Sequence, residues 1–219
     1  IEDPEMNPHT YGTLFLMLLA NMCLWEEGYS TSVPLKNTIS GYCQLTHTNM
    51  FDWVGNISEN ISHISSEASN EFFQQYVPGR LFSFRLPMIS HTSFLPVPNT
   101  KRKMLQKQPE VLLRLVVRML GAWKTPLRHL MTEMSAMQEA PEVIISKVRD
   151  IDEKLPRLLE GIRTILSQVS PLFNYLPWLG LKSLQVTDED SHLFAIHSLL
   201  NCLHNDAKKV AACIKVLRC

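Results

Sequence analysis

Glycine is scarce in this sequence, eight residues in 219, and none belongs to a glycine-rich phosphate loop. An excess of one charge is missing as well. The 21 Lys and Arg balance 21 Asp and Glu, so no electrostatic footprint points to nucleic acid. There is no internal repeat, and no run alternates with the period of two that marks a half-buried strand. No hydrophobic run reaches the roughly 20 residues that a spanning helix needs. The most apolar run, "LFLMLLANMCLW" from Leu14 to Trp25, is twelve long and broken by Asn21. That length suits the apolar part of a secretory signal, and small residues follow in "GYSTS". The preceding "IEDPEMNPHTYG" is acidic, unlike the usual start of a signal. The expectation is a signal peptide with upstream residues over 1–30 and one mature domain over 31–219, without membrane insertion of the mature chain. The alternative for Leu14–Trp25 is an ordinary buried helix.

Five cysteines is an odd number. Removing residues 1–30 takes Cys23 and leaves Cys43, Cys202, Cys213 and Cys219, which allow three complete pairings. Cys202 and Cys213 are eleven apart on one helical pattern, ~16 Å of rise, too far for a disulfide without unwinding. Cys202 and His204 lack the second ligand pair of a structural zinc site. No third residue orients a Cys–His nucleophile. No catalytic residue, metal site or cofactor is expected.

What is present is apolar: 45% of the residues, most of it in four long stripes at helical spacing. The first covers roughly 46–76, with Met50, Val54, Ile57, Ile61, Ile64, Ala68 and Phe72 recurring every three or four positions. The second opens at Pro109, a suitable first-turn residue, and carries Leu112, Val116, Met119, Trp123, Leu127, Leu130 and Met134. Pro126 inside it predicts a kink near Trp123. The third follows Pro141, with Ile144, Val148, Ile151, Leu155, Leu158, Ile162, Ile165 and Val169, and Pro156 predicts a second kink. The fourth opens at "TDEDSHLF", capped by Asp188 or Asp190, with Ile196, Leu199, Leu200, Leu203, Ala207, Val210, Ile214 and Leu217 as its stripe.

Link lengths set the topology. Only "SAMQEAP" joins the second and third helices, which forces antiparallel neighbours. The first and third links hold about thirty and about twenty residues. Twenty extended residues reach about 66 Å at ~3.3 Å each, more than the roughly 42 Å of a 28-residue helix. Both long links can travel the bundle, so long, short, long predicts an all-α, up-up-down-down four-helix bundle with two long crossovers, the arrangement of long-chain helical cytokines.

Several segments resemble the prolactin family of the somatotropin group: "NISHISSEASNEFFQQY", "HTSFLPVP", "AWKTPLRHLMTE", "MQEAPEVIISK", "RLLEGIRTILSQV", "PWLGLKSLQVTDEDS" and "CLHNDAKKVAACIKVLRC". The similarity covers about residues 33–219, and "GTLFLMLLANMCLWEEGYS" resembles the leader of placental prolactin-like proteins. The resemblance implies a secreted, extracellular, monomeric hormone that binds and dimerises a single-pass prolactin-type cytokine receptor, and no enzyme. The other reading is a non-activating, sequestering or retargeted binding protein on the same bundle.

The resemblance also implies where to look. A first receptor surface on the first and last helices would use Glu59, His204, Lys208, Lys209 and Lys215. A second, on the first and third helices, would use Arg157 and Gly161, with Gly161 as a notch on a polar face. Cys43, Cys202 and Cys219 stand at family cysteine positions. The crossover cysteine that would clasp the last helix falls at Ser90, so a looser crossover is expected. Cys43 and Cys219 are the candidates for a substitute pair. Cys213 falls where the family usually has an aromatic or other residue, and Ala211 replaces an acidic one. That leaves Glu59 and His63, four apart, as a surface pair and not half of a shared zinc site. Asn56 and Asn60 are both N-x-Ser sequons, candidate glycosylation sites.

Overall fold

Helix one of the structure, α1, spans Thr48–Tyr76, as the three-and-four spacing of its apolar residues requires. The turn that follows it contains Gly79, whose φ of +80° lies in the left-handed region that glycine enters without strain. The chain is described by a computed structural model covering residues 48–80, 90–166 and 178–218, all within the unit Ile39–Cys219. The expected signal segment, Cys43 and Cys219 lie outside the described residues. Along these residues follow α2 (Lys101–Leu105), α3 (Pro109–Ala122), α4 (Lys124–Ser135), α5 (Glu142–Ile165), α6 (Leu181–Leu184) and α7 (Glu189–Leu217), with no strand among them.

Two of the long helices start where local chemistry favours it. Pro109 opens α3, with Glu110 in its first turn bonded to Arg114 at 2.5 Å. Asp188 caps α7 by accepting a 2.9 Å hydrogen bond from the Ser191 amide. Pro126 has the expected effect: the second pattern divides at Trp123 into α3 and α4. A proline has no N–H for the carbonyl four residues back, here that of Ala122. His91 from the first crossover takes its place, its Nε2 lying 3.2 Å from the Ala122 oxygen. Pro156 does not divide α5, which is helical without a break from Glu142 to Ile165.

Side-chain pairs fix the directions. Arg80 after α1 meets Glu189 and Asp190 at the start of α7, and Arg218 after α7 meets Asp52 near the start of α1. Lys147 early in α5 meets Glu67 and Glu71 late in α1. Gln185 and His192, flanking the start of α7, meet Glu133 late in α4. Thus α1 runs against α5 and α7, and α3–α4 runs with α1: an up-up-down-down bundle. The four stripes meet in one continuous core, where Val54, Phe72, Leu127, Val148, Leu158 and Leu200 are fully buried. Each such side chain contributes about 1.5–3 kcal/mol on leaving water. Tyr76 ties the end of α1 to the short corner by donating from its hydroxyl to the Glu139 carbonyl at 2.9 Å.

Candidate functional site

Two flanks of α1 face outward beside different neighbours. Asp52, Gly55, Glu59 and Phe73 lie on the flank toward α7. There Arg218 Nε donates to Asp52 Oδ1 at 2.6 Å, and the Arg218 guanidinium lies close over Gly55. Phe73, half exposed, packs on His197 with ring centroids 5.5 Å apart. These contacts set a register in which Glu59 is level with Ala211. On α7, His197, His204, Lys208, Lys215 and Arg218 recur every three, four or seven residues and so share this side of the helix. Glu59, Lys208 and Lys215 are exposed and make no ion pair among the described residues.

Two expected members of this surface are placed differently. His204 is half buried, and its Nδ1 lies out of contact with solvent and without a protein hydrogen-bond partner. Lys209 turns toward the first crossover and pairs with Asp206 at 3.3 Å. Glu59, Lys208 and Lys215 therefore lie along the same flank, the two lysines two turns apart on α7, and Lys209 lies on the neighbouring edge.

The opposite flank of α1 faces α5. Trp53, Asn56, Asn60, His63 and Glu67 recur there at spacings of three and four. Lys147, Asp150, Lys154, Arg157 and Gly161 do the same on α5. Arg157, Asn56 and Asn60 are exposed. Gly161 is not on an open polar face: it is buried beneath α1. A Cβ built on it would come within 2.4 Å of Trp53 Cζ3 and 2.5 Å of Val54 Cγ1. The glycine is needed because its own neighbour, Trp53, fills the notch. Trp53 remains 42% exposed on its outer side. The charges of this flank are taken up locally: Lys147 pairs with Glu67 at 3.2 Å and Glu71 at 2.5 Å, and Lys154 with Asp150.

The expected loosening of the first crossover meets a polar substitute. Ser90 donates to Asp206 Oδ2 at 3.2 Å and Thr92 to the same oxygen at 2.5 Å, while Trp123 Nε1 donates to it at 3.0 Å. Asp206 is only 2% exposed. Ser90 also lies within hydrogen-bond reach of Cys202. A buried carboxylate with several donors thus links crossover, second helix and last helix where a disulfide clasp would otherwise reach. Cys202 and Cys213 are buried and not in disulfides. Burial, helped by nearby Asp206, pushes the Cys202 thiol up to about 11, and burial pushes Cys213 up to about 12. Neither is poised as a nucleophile. Among the described residues, no group of three His, Cys, Asp or Glu side chains could hold a metal ion, and no helix is long and apolar enough to cross a membrane.

Sequence reasoning missed Trp53 and Asp206. Asp206 sits three after Leu203 and four before Val210, so helical spacing alone placed it on the core side. Trp53 carried a weaker signal, since the residue before a core position can lie on either side of the boundary.

The family model that matches residues 17–219 is that of the somatotropin hormone family. The chain is also 38% identical over 221 residues to Prolactin-5A1 of Rattus norvegicus, covering 98% of this chain and 96% of that protein. Hormones of this family are secreted and signal without catalysis, and the helical bundle described above is their fold. The chain belongs to the somatotropin/prolactin hormone family, with the hormone or cytokine role that membership carries.

Proposed function

We propose that this chain is a secreted, monomeric hormone that binds the extracellular domain of a single-pass, prolactin-type cytokine receptor through the α1/α7 flank. In this reading residues 1–30 serve as the signal and upstream segment and 31–219 as the hormone domain. The observation that carries the proposal is that Glu59, Lys208 and Lys215 are exposed and without an ion pair among the described residues along one flank, with the half-exposed Phe73 farther along it. Exposed charges without a partner in their own chain, beside an exposed aromatic ring, are what the polar rim of a protein interface uses. His204, half buried at the same strip, and Lys209, at the crossover edge, would sit at its margins. Ala211, level with Glu59 where the family usually has an acidic residue, changes the charge of this strip, so its affinity for the receptor of prolactin itself should differ, while Cys213 is buried behind it.

The test is binding of the full secreted chain to a panel of prolactin-class receptor ectodomains by surface plasmon resonance. Lys208→Glu and Lys215→Glu together should weaken the tightest interaction at least tenfold and flatten its loss with salt, because the attraction that salt screens is removed, while Arg157→Glu on the opposite flank leaves it within twofold. Absence of binding across the panel sinks the receptor reading; a larger loss from Arg157→Glu places the surface on the wrong flank.

A further inference from the structure

The α1/α5 flank differs from the α1/α7 flank in three ways that act in one direction. Its notch at Gly161 is already filled by Trp53. Its lysines are engaged with Glu67, Glu71 and Asp150. Both N-x-Ser sequons of α1 lie on its rim, with Asn56 three and Asn60 seven residues after Trp53, on the same stripe and exposed. We infer that Asn56 and Asn60 carry N-linked glycans that, with Trp53, seal the α1/α5 flank against protein, making this chain a ligand for one receptor at a time.

The geometry separates the two flanks. At ~1.5 Å of rise per residue, Asn56 and Asn60 stand about 4.5 and 10 Å along α1 from Trp53. The antiparallel register set by Trp53 with Gly161 and by Glu67 with Lys147 puts Asn60 level with Lys154, next to Arg157. A glycan is bulky and strongly hydrated, larger than either spacing, so two of them cover the groove mouth and the exposed edge of Trp53. Asn56 stands one turn from both Asp52 and Glu59, so its glycan also borders that edge of α1, while Asn60 shares the side of Trp53; Phe73, about 20 Å farther along α1 than Asn60, and Lys208 and Lys215 on α7 lie beyond both and stay open. Removing water and sugar from a groove whose floor is already packed gains a partner little, because the apolar surface there is covered by the chain's own indole.

This inference rests on the proposed receptor reading for its stoichiometry and on secretion for its chemistry. The experiment uses the full chain secreted from a glycosylating mammalian line. Peptide mapping after enzymatic release of N-glycans should mark both Asn56 and Asn60, and Asn56→Gln and Asn60→Gln should each remove one glycan's mass. With excess receptor ectodomain, light scattering on the eluting complex should give one receptor per hormone. Asn56→Gln, Asn60→Gln and Trp53→Ala combined should admit a second receptor, with circular dichroism checking that the helices remain. Unmodified Asn56 and Asn60 on secreted chain overturn the inference, and so does a two-receptor complex of the unaltered glycosylated chain. A triple variant that still takes one receptor overturns the sealing. Both glycans present with no receptor complex at all fails the receptor reading and leaves the modification standing.

Discussion

Trp123 Nε1 donates a 3.0 Å hydrogen bond to Asp206 Oδ2, and both residues are almost wholly buried. The two are 83 positions apart in sequence, yet they join the helix break at Pro126 to the last helix and, through Ser90 and Thr92, to the first crossover. A buried carboxylate is tolerated only when its lone pairs are used.

Asp206→Ala therefore leaves the Trp123, Thr92 and Ser90 donors without their acceptor. The expected cost is about 3 kcal/mol or more, by analogy with removing one partner from a buried polar group. Urea unfolding monitored by Trp fluorescence measures it. A cost below ~1 kcal/mol would show that these donors find other partners.

Ser90→Cys should recreate a covalent clasp with Cys202, since the two side chains already lie within hydrogen-bond reach. Closing a loop of roughly 110 residues contributes about 4 kcal/mol at best, less ~1 for the lost Ser90–Asp206 bond. The melting temperature should rise by about 5–10 °C under oxidising conditions and return on reduction. A non-reducing peptide map without the 90–202 link would refute the placement.

Gly161→Ala replaces a poor helix former with a good one, a gain of about 1 kcal/mol in an exposed helix. Here the new Cβ meets Trp53 and the fully buried Val54, so the net effect should be destabilising by about 1–2 kcal/mol. Trp53 is half free to move and Val54 is not, so Trp53→Ala should recover only part of the loss. A double-mutant cycle by thermal denaturation reads the coupling. A stabilising Gly161→Ala would mean that the groove is open.

Burial holds the His91 imidazole below its ordinary value, opposed in part by its bond to the Ala122 carbonyl and by Asp206, and burial lowers His197 as well. Each folded-state value lies under the unfolded one, so the unfolded chain takes up protons first as pH falls. Stability from these groups is complete above about 6.5 and is lost as pH drops from there through the folded-state values. Unfolding free energy should decline between pH 7 and pH 5, and His91→Gln with His197→Gln should flatten that slope. An unchanged slope in the double variant would assign the decline to other groups.

Cys202 and Cys213, with thiols near 11 and 12, should resist alkylation of the native chain at pH 8, where less than about one thiol in a thousand is ionised. Iodoacetamide labelling followed by mass mapping should show both modified only as fast as the protein unfolds. Rapid native labelling of Cys213 would contradict its burial.

The sequence by itself determined the four helices and their order of direction. Repeats of Leu, Ile and Val every three or four residues leave one face per helix that must be buried, the short link requires antiparallel neighbours, and the two long links are long enough for the parallel pairs. It also narrowed the cap of the last helix to Asp188 or Asp190 and placed the break caused by Pro126, because both act within a few residues of chain. It could not read the pairings between faces. Whether Gly161 lies open or beneath Trp53, whether Asp206 meets solvent or Trp123, and whether the Ala122 carbonyl finds His91 all depend on how far each helix is turned about its axis and slid along its neighbour. Those two degrees of freedom are set only when all four stripes pack together, since a turn of a few tens of degrees exchanges a buried position for an exposed one at little local cost. Tertiary packing alone therefore decided that the two flanks of α1 differ, one lined with exposed charge and the other filled by its own tryptophan.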